Sequence, residues 1–264
     1  MRPRIAIPIP NSDEAYTAKV MPQYRRAVEL AGGEPMEIPI SATPNEIAQL
    51  AKGCDGVLLP GSPADVDPQK YGSAVRDPAT APMDVARDDA DELLIQDAHN
   101  MKKPILGVCY GMQTLNVWRS GTLRQHLHTC VQHEKPKDGK QRMFTAHPVV
   151  VEAGTKLAAI VGHAIGQAHG SPKVIVNSSH HQAVDQPGDG LTVSAVCPED
   201  GTIEAFEGTS ADHYVIGVQW HPERSYDDDE YSKAIFRSLV EAAREWHEMQ
   251  APDFETIRAR KPNE

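Results

Sequence analysis

Short apolar runs alternate with stretches of helical spacing through the first half of the chain. Ile5-Ala6-Ile7-Pro8-Ile9 is the first run. Met21 to Ala31 places Tyr24, Ala27, Val28 and Ala31 at helical intervals and stops at Gly32-Gly33, a natural helix end. Pro35 to Ile40 reads as a second strand. Thr43-Pro44-Asn45-Glu46 is a capping box with proline at the first helical position, which predicts a helix from Pro44 to about Lys52. Gly56 to Pro60 is a third strand, Asp88 to about Met101 a helix with Leu93, Leu94 and Ala98 on one side, and Pro104 to Val108 a fourth strand. The last is wholly apolar, as a strand buried on both faces should be. Alternating strands and helices predict a parallel sheet covered on both faces.

The second half changes character. Pro148–Val151, Lys173–Asn177, Leu191–Val196, Thr202–Glu207 and Tyr214–Gln219 read as strands with few helices between, and the last two as an antiparallel pair. A final helix runs from about Asp229 to Trp246, with Ile235 and Leu239, then Phe236 and Val240, four apart. Two long irregular loops stand out, Gly61 to about Ala86 and Gln132 to Ala146, and such loops tend to be functional or mobile. The expected organisation is one domain over residues 1–249 and a loose polar tail over 250–264.

Composition narrows the class. A chain of 264 residues suits one large α/β domain. A net charge of −11 gives it no general attraction for nucleic acid or an anionic membrane surface. No apolar run nears the ~20 residues that span a bilayer. The N-terminus reads as a strand and not a signal peptide, so a cytoplasmic location is expected. Four cysteines form no C-x-x-C pair, and free thiols are the expectation. Cys54 and Cys197 read as packing residues. Cys130 stands in a polar stretch among histidines and receives no role.

Cys109 differs. Gly107-Val108-Cys109-Tyr110-Gly111-Met112-Gln113 joins the fourth strand to a helical run, which is a nucleophile elbow with cysteine in place of serine. The tight turn lifts the side chain clear of the backbone, and Gly107 and Gly111 supply the room. The helix that follows aims free N–H groups at the sulfur, which should lower the thiol pKa and stabilise an oxyanion. A second segment, Val215 to Glu223, brings His221 to the end of an apolar strand, with Pro222 fixing the turn to Glu223. A cysteine nucleophile needs an imidazole to take and return its proton, and the imidazole needs a carboxylate to fix its tautomer.

The two motifs resemble those of the class I glutamine amidotransferase superfamily: G-x-C-x-G-x-Q over Gly107–Gln113 and Q-x-H-P-E over Gln219–Glu223. Four further segments resemble the γ-glutamyl hydrolase-type peptidases within it, especially the γ-glutamyl-γ-aminobutyrate hydrolases. They are Leu59–Pro68 with Tyr71-Gly72, Arg87-Asp88, Val176–Gln182 and Asp200–Ala205. The resemblance runs from about Ile5 to Leu239. It implies a flavodoxin-like, open, mostly parallel sheet with helices on both faces and a smaller antiparallel strand set. It also implies a Cys109–His221–Glu223 triad, an oxyanion hole from the amides of Gly61, Ser62 and Tyr110, and a γ-glutamyl pocket lined by Gln113 and His180. Val117-Trp118-Arg119-Ser120-Gly121 and His126 depart from the family pattern without touching the triad motif.

The implied reaction is hydrolysis of a small γ-glutamyl amide through a γ-glutamyl thioester, as in amine catabolism, without cofactor. The alternative is a glutaminase subunit that passes ammonia to a synthetase partner. A non-enzymatic binding protein on this fold is the third possibility, and the intact Cys, His and Glu set argues against it. The expected partner is a small γ-glutamyl molecule and neither nucleic acid nor membrane; oligomeric state, a homodimer included, is left open. Of 12 histidines, His126, His128, His133, His180 and His181 invite a metal, yet none shows a convincing four-ligand spacing, and no metal site is expected.

Overall fold

The apolar runs that begin at Ile5, Gly56 and Pro104 become strands because each finds cover on both faces. The structure is a computed structural model and describes residues 1–127, 146–167 and 169–250. In chain order the first elements are β1 (Arg4–Pro8), α1 (Glu14–Leu30), β2 (Glu34–Ile38), α2 (Pro44–Lys52), β3 (Gly56–Leu59), α3 (Val85–Met101), β4 (Ile105–Val108), α4 (Tyr110–Trp118) and β5 (Thr122–Arg124). Then come β6 (Ala146–Val151), α5 (Lys156–Ala164), β7 (Lys173–Asn177), β8 (Ala183–Gln186), β9 (Leu191–Val196), β10 (Ile203–Gly208), β11 (Val215–Val218) and α6 (Glu230–Gln250).

Nine strands pair in the order β2-β1-β3-β4-β11-β10-β9-β6-β7, and β5 pairs with β8 in a separate ribbon. The first five in that order are parallel, and β10, β9, β6 and β7 continue the same sheet by antiparallel pairing. The antiparallel strands β10, β9, β6 and β7 therefore extend the main sheet, and only β5 and β8 stand apart from it among the described residues. Residue alternation along each strand splits the core. Ile5, Ile7, Leu58, Leu106, Val108, Ile216 and Val218 pack on one side with residues of α1, α5 and α6. Ala6, Val57, Leu59 and Ile105 pack on the other with residues of α2, α3 and α4.

Several boundaries differ from the sequence expectation for local reasons. α1 begins at Glu14, capped by the Asp13 carboxylate, and carries Pro22 in its interior; that proline hid the first turns. α3 begins at Val85 because Asp84 caps it. α5 is absent from the sequence expectation; Thr155 caps it and it buries Leu157, Ala158 and Val161. The long loop after β3 contains a short 3-10 turn, Pro68–Tyr71. Cys130, His128, His133, the loop over Gln132 to Ala146 except the backbone of Ala146, and the tail after Gln250 lie outside the described residues. No described helix is long and apolar enough to cross a membrane.

One buried charge ties the loops at the carboxyl ends of the strands. Arg87, on the first turn of α3, is fully buried. It donates to the Pro10 carbonyl at 2.7 Å, the Pro60 carbonyl at 2.6 Å and the Asp91 carboxylate at 2.8 Å. Burial raises the Asp91 pKa to about 6 even though Arg87 opposes the shift. Replacing Arg87 by Met would leave both carbonyls and a buried carboxylate without their donor, at a cost of about 3–5 kcal/mol. Urea unfolding of Arg87→Met should show a loss of that size; a loss under about 1 kcal/mol would remove this anchoring role.

Candidate active site

Cys109 occupies the sharp turn between β4 and α4. Its φ of 52° and ψ of −109° lie where a side chain is strained, and a non-glycine residue persists there only when its surroundings impose it. The imposition is visible on both sides. Its N–H donates to the Val218 carbonyl on β11 at 2.8 Å, and its carbonyl accepts from Met112 and Gln113 on α4. The helix sits hard on the sheet. A Cβ on Gly111 would overlap the Leu59 carbonyl, and one on Gly107 would come 2.7 Å from the Gly111 carbonyl oxygen. The two glycines expected to make room for the elbow do so by close approach.

His221 follows β11, the parallel neighbour of β4, so the strand pairing itself carries it to the same edge as Cys109. Its Nδ1 lies 2.7 Å from Glu223 Oε1, and both side chains are buried. A carboxylate oxygen accepts, so Nδ1 carries the hydrogen and Nε2 is left to act as a base. The backbone is held as firmly: Asn177 donates to the His221 carbonyl at 2.8 Å and accepts from its N–H at 3.0 Å. Gly61 adjoins both groups. A Cβ there would lie 2.9 Å from His221 Cε1 and 3.5 Å from Cys109 Cβ. The two expected reactive side chains, far apart in the chain, are thus close neighbours across one glycine.

The charge states differ from expectation at the sulfur. Burial pushes the Cys109 thiol up to about 12, and the nearby Arg224 guanidinium and the Tyr110 N–H only partly offset it. The helix amide does favour the thiolate, as foreseen, but desolvation of a buried sulfur outweighs it. Burial, with Arg224 adding to it, lowers His221 to about 4 against the pull of Glu223. Burial acts to raise Glu223, but His221 and Arg224 outweigh it and the carboxyl titrates below its ordinary value. At neutral pH the site holds a thiol, a neutral imidazole and a carboxylate.

The other expected residues are all at hand, with more of their groups engaged than the sequence suggested. The Gly61 N–H donates to the Tyr24 hydroxyl at 2.9 Å. The Ser62 hydroxyl accepts from Asn11 at 3.1 Å. The amide nitrogen of Gln113 donates to the Gln182 carbonyl at 2.7 Å and to Gln219 Oε1 at 3.1 Å. His180 is buried, donates from Nδ1 to the Gln182 carbonyl at 3.0 Å, and stands near enough to His221 to help lower its pKa. The long loop after β3 is tied to this segment through Val66 N–H to Gln182 and Asp65 to His181. Trp118 and Arg119 lie at the far end of α4 from Cys109, packed on each other, with His99 edge-on to Trp118. Cys54 and Cys197 are buried free thiols, as expected of packing residues. Sequence reading missed Tyr24, Asn177, Gln219 and Arg224 as supports. Asn177 and Gln219 stand inside the quoted motif segments, and that position was their signal.

Residues 8–223 match the family model described as Peptidase C26. The chain belongs to the peptidase C26 family. Among its relatives, a Mycobacterium tuberculosis protein named "Putative glutamine amidotransferase" is 37% identical over 221 residues, 83% of this chain and 66% of that protein, which is just under two thirds. Escherichia coli strain K12 has a family relative, "Gamma-glutamyl-gamma-aminobutyrate hydrolase PuuD", 32% identical over 234 residues, 86% of this chain and 87% of that one. A Thermoplasma acidophilum structure described as "a putative gmp synthase subunit a protein" superposes with a TM-score of 0.60 at 17% identity, covering 95% of this chain and 98% of that chain. That likeness carries the fold alone, a flavodoxin-like, mostly parallel sheet with helices on both faces.

The histidine state is directly measurable. In ¹⁵N NMR spectra of imidazole-labelled protein, His221 should remain the neutral Nδ1–H tautomer as pH falls through 6.5, and should protonate only toward about 4. A midpoint at the ordinary value of 6.5 would contradict the buried, base-ready state described.

Proposed function

We propose that this chain hydrolyses the γ-glutamyl amide bond of small γ-glutamyl compounds, with Cys109 as nucleophile, His221 as general base and acid, and Glu223 as its orienting carboxylate. The observation that carries the reading is the buried 2.7 Å contact from Glu223 to His221 Nδ1, beside a cysteine held at φ 52°. Family membership and the relative named for γ-glutamyl-γ-aminobutyrate hydrolysis support the substrate class.

The thiol gives its proton to His221 Nε2 as the sulfur attacks the γ-carbonyl carbon. The oxyanion takes hydrogen bonds from the amides of Ser62 and Tyr110. Gly61, whose own N–H is engaged by Tyr24, contributes the absence of a side chain where one would press on His221 and crowd Cys109. The C–N bond breaks as His221 passes its proton to the leaving amine. Water then loses a proton to His221 and attacks the thioester, the S–C bond breaks, and the sulfur regains its proton. Because thiol and imidazole are both neutral at rest, charge separates only in the transition state, where the low-dielectric site and the oriented amides are most effective. Gln113 and His180 border the pocket for the γ-glutamyl group. We place the enzyme in the cytoplasm, acting without a protein partner.

The mycobacterial relative's name favours a second reading, glutamine hydrolysis with ammonia passed to a synthetase. The same chemistry at Cys109 would serve. Purified protein assayed alone on γ-glutamyl amides with different amines, and on glutamine, separates the two. Hydrolysis of γ-glutamyl-γ-aminobutyrate by the chain alone, abolished in a folded Cys109→Ala variant, is expected. Wild-type-like hydrolysis by that variant would remove Cys109 from the mechanism, and glutaminase activity appearing only with a partner would establish the second reading. Gly61→Ala should lower kcat at least about a hundredfold by displacing His221, since small misplacements of reacting groups cost that much; unchanged kcat would contradict the tight packing at Gly61.

A further inference from the structure

Three buried side chains from distant segments converge beside the candidate active site. His147 stands on β6, His180 follows β7, and Glu204 lies on β10; all three are at least nine-tenths buried, Glu204 completely. His147 Nε2 lies 3.5 Å and His180 Nε2 3.8 Å from the same oxygen, Glu204 Oε1. One ligand atom from each of the three lies within 4.8 Å of those of the other two. Sequence spacing gave no hint of the set, because strand order and not chain proximity assembles it.

The other ring nitrogens decide what the cluster can hold. His147 Nδ1 is 3.2 Å from the Pro148 carbonyl and His180 Nδ1 is 3.0 Å from the Gln182 carbonyl. A carbonyl only accepts, so both Nδ1 atoms carry hydrogen. Each ring then turns its Nε2 toward the same carboxylate oxygen. Neither oxygen of Glu204 accepts a hydrogen bond among the described residues. A carboxylate buried without a hydrogen-bond donor is costly unless a cation lies beside it. Fixing the tautomer through a carbonyl at the far nitrogen is the arrangement that metal-bound histidines adopt.

We propose that His147, His180 and Glu204 bind a divalent transition metal, with Zn²⁺ the best match to two imidazoles and one carboxylate. Tetrahedral Zn²⁺ holds donor atoms about 3.4 Å apart, so the 3.5 and 3.8 Å separations from Glu204 are near that spacing, and the two histidine donors, within 4.8 Å of each other, would close on the ion. Two neutral rings and one carboxylate leave a net charge of one on the ion, far cheaper to bury than a lone carboxylate. The ion would pin β6 and β10 to the segment that carries His181 and Gln182, and through Gln182 to Gln113 and the loop after β3. It uses neither Cys109 nor His221 and shares only His180 with the proposed γ-glutamyl pocket, so metal uptake is read by stoichiometry and not by hydrolysis.

The test uses the full chain, stripped with chelator and titrated with Zn²⁺ and with Co²⁺. One ion per chain is expected, with the visible bands of four-coordinate Co²⁺ and a zinc X-ray absorption shell of nitrogen and oxygen only. His147→Ala and Glu204→Gln should lose stoichiometric binding, and Cys109→Ser should keep it. The proposal is overturned if the wild type takes up no ion, if sulfur appears in the metal's shell, or if the two cluster variants bind as the wild type does. Should those variants fail to fold, the wild-type stoichiometry and absorption shell decide.

Discussion

The site depends on how closely α4 lies on the sheet. Gly107 and Gly111 let the helix backbone come within contact of β4 and β3, and that approach leaves no relaxed backbone conformation for the residue between. Cys109 is therefore held at φ 52°, tied to β11 by its N–H and to α4 by its carbonyl. The strain is sustained by core packing on both faces, where each buried aliphatic side chain is worth about 1.5–3 kcal/mol. The pairing of β11 beside β4 does the rest, because it delivers His221 to the same sheet edge whatever the length of chain between them.

Burial sets the chemistry as much as geometry does. A sulfur at a helix N-terminus with a histidine nearby invites the picture of a resting thiolate–imidazolium pair. Desolvation acts on both members in the opposite sense, raising the thiol and lowering the imidazole. Glu223 then does not hold a permanent charge on His221. It fixes a neutral tautomer and waits for the proton to arrive, so that its attraction grows as the reaction proceeds, which is how an electrostatic group contributes to rate and not merely to binding.

Much of this was legible in the sequence because it rests on short-range rules. The wholly apolar runs at Gly56–Leu59 and Ile105–Val108 could only be doubly covered strands, and the capping box at Thr43 placed α2 to the residue. Gly107 and Gly111 announced the elbow, and Gln219–Glu223 its partner. What stayed hidden depends on distant contacts. Pro22 masked the start of α1, since propensity cannot say that a proline inside a helix will be tolerated. Tyr24 gives no sign in sequence that its hydroxyl takes the Gly61 N–H. The expected thiol activation failed because a one-dimensional reading sees the helix dipole but not the depth of burial. His147, His180 and Glu204 meet only because β6, β7, β9 and β10 adjoin in that sheet.

The central claim is that the strained cysteine itself carries the acyl group. Acid-quenching a γ-glutamyl substrate during turnover, followed by mass spectrometry of the digested protein, addresses it most directly. A γ-glutamyl increment on the peptide containing Cys109, removed by hydroxylamine as a thioester is, is the expected result. Turnover at full rate with Cys109 unmodified at every quench time, or the increment on a different residue, would contradict it.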